Sequence, residues 1–128
     1  MSSEDTRVWA RFLEQRGGEL GRVRYDVKVG AGHDLGEGAD PVMGSMWSDL
    51  VKKRVDAVCV VDGATWLVEV KPVGGMSALG QLLVYADLFR AQESPQGAVQ
   101  LVLVCGRVDR DCAATFVRLG VVVYEVGT

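Results

Sequence analysis

Little in this chain suits redox chemistry, membrane insertion or wholesale coating of nucleic acid. Its three cysteines include no Cys-x-x-Cys pair and are too few for a four-thiolate iron–sulfur cluster. Cys59 and Cys105 lie in apolar runs and Cys112 in an expected helix, which suits buried free thiols. No apolar stretch approaches the roughly 18 residues of a membrane span. The opening Met1-Ser2-Ser3-Glu4-Asp5 is acidic and polar, unlike a secretory signal, so the chain reads as intracellular and cytoplasmic, with no membrane partner. A net charge of −3 argues against a protein that coats nucleic acid generally. There is no internal repeat or low-complexity segment. At 128 residues, the chain reads as a single domain, 1–128, without room for a separate recognition module; specificity must come from loops or partners.

What is there follows an αβββαβαβ pattern. A first helix is expected over about Asp5–Arg16, capped by Ser2 or Ser3 and stopped by Gly17-Gly18, with Val8, Trp9, Phe12 and Leu13 as its apolar stripe. Asp5 falls within that stripe and Glu14 nearly opposite, so Asp5 is the better inward-pointing acid, unless it only favours the helix N-terminus. Residues 21–29 alternate as a half-exposed strand. Residues 30–49 form a glycine-rich loop with the only histidine, His33, which with Asp34 suits either a substrate contact or a solvated surface. Met43 and Trp47 suggest that the loop's second half folds back on the core or a partner, and Asp49 is a conceivable further ligand. Pro72 and Gly74-Gly75 are expected to end a strand, and Ser77 to cap a helix running to about Gln92. Ala98–Cys105, Asp109–Leu119 and Val121–Val126 read as strand, helix and strand, the pattern of a parallel crossover. The sheet is therefore mixed, an antiparallel meander continuing into parallel strands.

The chemistry concentrates around Asp62-Gly63. That dipeptide reads as a two-residue hairpin turn, which sets Val61 opposite Ala64 and, following the same register, Asp56 opposite Glu69; a three-residue loop would slip the pairing by one and put the two acids on opposite faces. Directly opposed like charges destabilise a sheet unless something cationic lies between them, and a divalent metal is the obvious candidate. Glu69 and Lys71 alternate onto one face, which places an ammonium group beside the acids. The flanking runs, 57–61 and 66–70, are nearly all apolar, so these charges sit on central strands and need partners. Two acids and a lysine so arranged suit a metal-dependent phosphodiesterase; a structural ion pair is the alternative. Gln81 and Tyr85, at i and i+4, share one helix face. Lys52, Lys53 and Arg54 precede Asp56, while Arg22, Arg24 and Lys28 alternate on the preceding strand; either set suits phosphate, or a solvated edge that discourages aggregation.

This order, with Asp56 on the second strand and Glu69-Val70-Lys71 on the third, resembles the PD-(D/E)xK nuclease superfamily, the restriction-endonuclease-like fold, over nearly the whole chain. Gln81 and Tyr85 resemble the Gln-x-x-x-Tyr motif of its RecB-type branch, whose members process DNA ends or branched DNA. Val55 stands where the superfamily name expects proline. The resemblance implies a Mg²⁺-dependent deoxyribonuclease, with Mn²⁺ as a substitute. Asp56, Glu69 and the Val70 carbonyl would be the metal ligands, and Asp56, Glu69, Lys71, Gln81 and Tyr85 the catalytic set. It implies DNA as the partner, contacted by Lys52, Lys53 and Arg54, and admits a homodimer or a protein partner. The acid that family members often carry on the first helix would be Asp5, Glu14 or absent. The alternative reading is a nuclease-fold subunit without useful activity, serving DNA binding or complex assembly.

Overall fold

A computed structural model describes residues 1–30 and 53–127. Within them the chain runs α1 (Ser3–Arg16), a 3₁₀ turn (Gly17–Glu19), β1 (Val23–Val29), β2 (Lys53–Val61), β3 (Ala64–Gly74), α2 (Met76–Glu93), β4 (Val99–Val108), α3 (Arg110–Arg118) and β5 (Val121–Glu125). The five strands form one mixed sheet in sequence order, antiparallel from β1 to β3 and parallel from β3 to β5. This is an α/β fold with helices on both faces. No helix among the described residues is long and apolar enough to cross a membrane.

The two faces have separate cores. Val8, Trp9 and Phe12 of α1 pack on Ala57, Cys59, Val68, Val70, Val102 and Val104. On the other face Leu82, Tyr85 and Phe89 of α2, with Phe116 of α3, pack on Val58, Leu67, Leu101 and Leu103. The central strands β3 and β4 are covered on both sides, which is why they read as continuous apolar runs. All three cysteines are free and buried, and burial pushes the Cys59 and Cys105 thiols up to about 11.

Three sequence expectations need correction. Ser2 caps α1 through Asp5 N–H, with Asp5 returning a bond to Ser2 N–H, so the helix begins at Ser3 rather than near Asp5. Helix α2 begins at Met76 behind Gly75, with no side-chain cap; Ser77 lies inside it. Pro72 does not end β3, which pairs with β4 as far as Gly74 and Val108. The Val70 N–H points toward β2, where it reaches Asp56, and Pro72 two residues on faces the same way. Among the described residues no strand pairs with β3 on that side, so the missing proline N–H costs no ladder bond.

Candidate active site

The β2–β3 turn is Asp62-Gly63, both with positive φ (50° and 81°), the two-residue type I′ geometry that its dipeptide type implies. It fixes the register from Val61↔Ala64 to Ala57↔Val68. There the ladder ends. Beyond it β2 continues with β1 and β3 with β4, so the two strands part like a fork. Asp56 and Glu69 are the first residues past the last rung. Their contact is through backbone and side chain together: Asp56 N–H donates to Glu69 Oε1 at 3.4 Å, and Val70 N–H donates to Asp56 Oδ2 at 2.8 Å.

A second irregularity crosses the sheet at the same level. Val23 and Tyr25 of β1 pack on the α1 side, Tyr25 accepting a 3.0 Å bond from Trp9 Nε1, whereas Val27 packs on the α2 side with the buried Val29. Alternation would have kept all four on one face. The reversal falls at Asp26, whose φ of 51° is left-handed. β2 reverses opposite it: Ala57 faces α1, Val55 faces α2, and the residue between is Asp56. The β1–β2 register accordingly passes from Tyr25↔Ala57 to Val27↔Val55. Asp56 thus stands where its strand turns over and leaves β3.

Glu69 is 2% exposed, the one fully buried charged residue among those described. Burial, reinforced by the Asp56 carboxylate, pushes its carboxyl up to about 8, against the pull of Lys71 and the Asp56 N–H. Asp56 is also raised, chiefly by burial, with the Val70 N–H and Lys71 acting the other way. Lys71 Nζ lies 4.0 Å from Glu69 Oε2 and is about one-third exposed, so it reaches both the acid and solvent. From α2, Tyr85 closes the back of the fork; its phenol is raised by burial and then by the charges of Glu69 and Asp56, while a hydrogen bond from the Gln81 side chain opposes the rise. Gln81 Oε1 is buried with no hydrogen-bond partner among the described residues.

The structure therefore brings together Asp56, Glu69, Lys71, Gln81 and Tyr85. The alternative of a solvent glutamine with a tucked tyrosine does not describe this pair, since the Gln81 oxygen is buried. Asp5 combines both roles considered for it: it closes the capping box, and its charge is close enough to raise both Asp56 and Glu69. Glu14 is exposed and lines instead an open cleft of about 520 Å³ beside α1, with Arg7, Arg11 and Pro72. Among the described residues, no three His, Cys, Asp or Glu side chains gather as a metal-binding group, so a metal here would rest on two acids and backbone oxygen. Of the basic set, Lys53 and Arg54 open β2; Arg24 is taken by Glu93 at 3.1 Å. His33, Asp34, Met43, Trp47, Asp49 and Lys52 lie outside the described residues. Sequence reading missed Asp26, whose Oδ1 is 3.6 Å from the Met1 amino group. An acid in mid-strand, at the position facing Asp56 across β1 and β2, was the available signal. Comparison of the chain with family models, with curated proteins and with solved structures gave no match.

Proposed function

We propose that this chain is a metal-dependent DNA nuclease with the restriction-endonuclease-like fold of the PD-(D/E)xK superfamily, RecB-type branch. The observation that carries the reading is the meeting of Asp56 and Glu69 at the strand fork, with Lys71 beside Glu69 and Gln81 and Tyr85 behind. Asp56, raised by burial, and Glu69, raised by burial and by the Asp56 carboxylate, form a site short of positive charge. Their oxygen donors, with the Val70 carbonyl, suit a hard divalent cation such as Mg²⁺ or Mn²⁺. Bound there, the cation would supply an acidified water and neutralise charge growing on the phosphate oxygens.

The chain's own groups do the rest. Lys71, beside Glu69 and partly exposed, orients the attacking water or donates to a phosphate oxygen. Tyr85, kept protonated, is a hydrogen-bond donor behind the acids, and the unpartnered Gln81 oxygen is an acceptor for water or substrate. A second reading, a nuclease-fold subunit that binds or assembles without cutting, draws on a separate observation: backbone N–H groups already occupy one oxygen of each acid. Incubation with linear, circular and branched DNA in Mg²⁺, Mn²⁺ and EDTA decides between them. Cleavage confined to the divalent cations supports the enzyme; intact DNA in every lane leaves the subunit.

A further inference from the structure

Helix α2 carries apolar residues on both of its faces. Ala78, Leu82, Tyr85, Ala86 and Phe89 are buried on the sheet side, yet Met76, Leu83 and Val84 on the outer side are 79%, 37% and 48% exposed. At about 100° per residue these three fall with Gly80 and Asp87 in one arc about 100° wide, the width of a stripe that a helix buries. Gly80 lies mid-helix, where alanine is more stable, and among the described residues a Cβ there would meet nothing within 4 Å, so the chain's own packing does not call for glycine. Single exposed apolar residues are ordinary, but a stripe with a notch in its middle is the surface of a packed helix. The charges on α2 fit the same reading. Its N-terminus has no side-chain cap and no acid in the first turn, which leaves the positive end of the helix unanswered. Asp87, further along the exposed arc, makes no ion pair among the described residues. A positive helix end and an acid on one face complement themselves when two such helices run antiparallel.

We propose that the outer face of α2 pairs two copies of this chain, antiparallel about a twofold axis. Along antiparallel helices each step forward on one is matched by a step back on the other. The register that sets Asp87 against the partner's Met76 and Ser77, the uncapped helix end, therefore also sets Gly80 against the partner's Leu83 and Val84. One register thus answers the charge and fills the notch. The glycine lets the helix axes approach, and the partner's Val84 enters at the shallow crossing of about 20° that suits a long helix contact. A second copy is the occupant because both halves of the contact, acid and helix end, knob and notch, are present on the same face. The inference does not depend on the nuclease reading: Tyr85, whose phenol feels Glu69 and Asp56, lies on the opposite side of α2. Contact through one helix per copy is at the small end of interface sizes, which predicts a dimer that dissociates in the micromolar range.

Sedimentation equilibrium of the whole chain, from about 1 µM to 1 mM, reads the association directly. Thermal melts check that each variant is folded. The wild type should pass from monomer to dimer across that range. Val84→Glu should abolish the dimer, and Asp87→Lys should weaken it about tenfold or more, because the charge reverses at both ends of the pair. Gly80→Ala is the sharpest variant: it should raise the melting temperature of the dilute, monomeric chain and yet weaken pairing severalfold, since its methyl group fills the notch. Val117→Glu on α3, at a residue 76% exposed, is the control and should leave the dimer unchanged. A wild-type chain that is monomeric at every concentration overturns the proposal, as does a dimer indifferent to Val84→Glu. A dimer lost in Val84→Glu but unmoved by Asp87→Lys and Gly80→Ala overturns it too, because the antiparallel register requires both. A monomer whose melting temperature falls on Val84→Glu would mean that the face is covered from within the same chain, and overturns the pairing equally.

Discussion

Asp56 and Glu69 meet through a backbone N–H of one and a carboxylate oxygen of the other, 3.4 Å apart, at the first step beyond the last paired rung of their hairpin. Each acid is held by main chain of the opposite strand, because Val70 N–H returns a bond to Asp56. Carboxylates fixed in this way cannot swing apart to relieve their repulsion. They must share a cation, share a proton or raise their pKa values.

The first prediction concerns pH. The carboxyl of Glu69 is raised from 4.5 to about 8 in the folded chain, so between those values the folded state holds a proton that the unfolded state has lost. Its contribution to stability is complete below about pH 4.5 and is lost as pH rises through 8. Melting of the metal-free chain should fall across that window, and Glu69→Gln should flatten the profile and raise the midpoint at pH 8. A wild-type profile that rises from pH 5 to 8 would contradict the assigned direction.

Divalent cation should stabilise the fold by linkage. At a concentration one hundred times its dissociation constant, a ligand specific for the folded state adds about 2.7 kcal/mol. Mn²⁺ should raise the melting temperature of the wild type, EDTA should reverse the rise, and Asp56→Asn should abolish it. An equal rise in wild type and Asp56→Asn would place the cation elsewhere.

Lys71→Ala should lower cleavage roughly 10²–10³-fold, the scale of removing one donor to developing charge. Stability should change little, since the side chain is partly exposed and its contact with Glu69 is 4.0 Å. The paired measurements are single-turnover cleavage and a thermal melt. Normal cleavage by the folded variant would reduce Lys71 to a bystander.

Tyr85→Phe keeps the ring in the core and removes only the hydroxyl. We expect it to fold, to bind DNA in Ca²⁺ as the wild type does, and to cut at least tenfold more slowly, with Gln81→Ala behaving alike. Unaltered cleavage in both would return these side chains to a packing role.

The turn itself can be tested through Gly63, whose φ of 81° suits glycine. Gly63→Ala should cost about 1 kcal/mol in urea unfolding, because a side chain disfavours that conformation. Gly74→Ala should cost about 1–3 kcal/mol for a different reason: its Cβ would lie 2.5 Å from Leu103 Cδ2. A neutral Gly74 variant would show that Leu103 has room to turn aside.

Much of this was legible in sequence because the informative residues act locally. Asp62-Gly63 dictates a two-residue turn, and the turn dictates the register that sets Asp56 against Glu69. Val8, Trp9 and Phe12 of the α1 stripe and the spacing of Gln81 and Tyr85 follow from helical period alone, whereas Leu13, expected in the same stripe, is exposed. The reversal of β1 was not legible. Val23, Tyr25, Val27 and Val29 alternate without fault, yet one left-handed residue, Asp26, sends the two halves to different faces. Pro72 misled for a related reason. Proline ends a strand only where its missing N–H faces a partner, and that depends on where β2 has gone. Both failures are tertiary events at the fork, unmarked in the local pattern of apolar residues.

The hairpin also bears on the order of events when the chain folds. Asp56 and Glu69 are thirteen positions apart, bridged by a tight turn, so bringing them together closes a short loop at small entropic cost. Hairpins of this kind form in about 1–10 µs, well before the slower non-local pairing of parallel strands such as β3 and β4. The two acids are thus introduced to each other while still wet and free to ionise. The desolvation that raises them comes later, when α2 and β4 close over Glu69, and the repulsion is confined to the last steps of assembly.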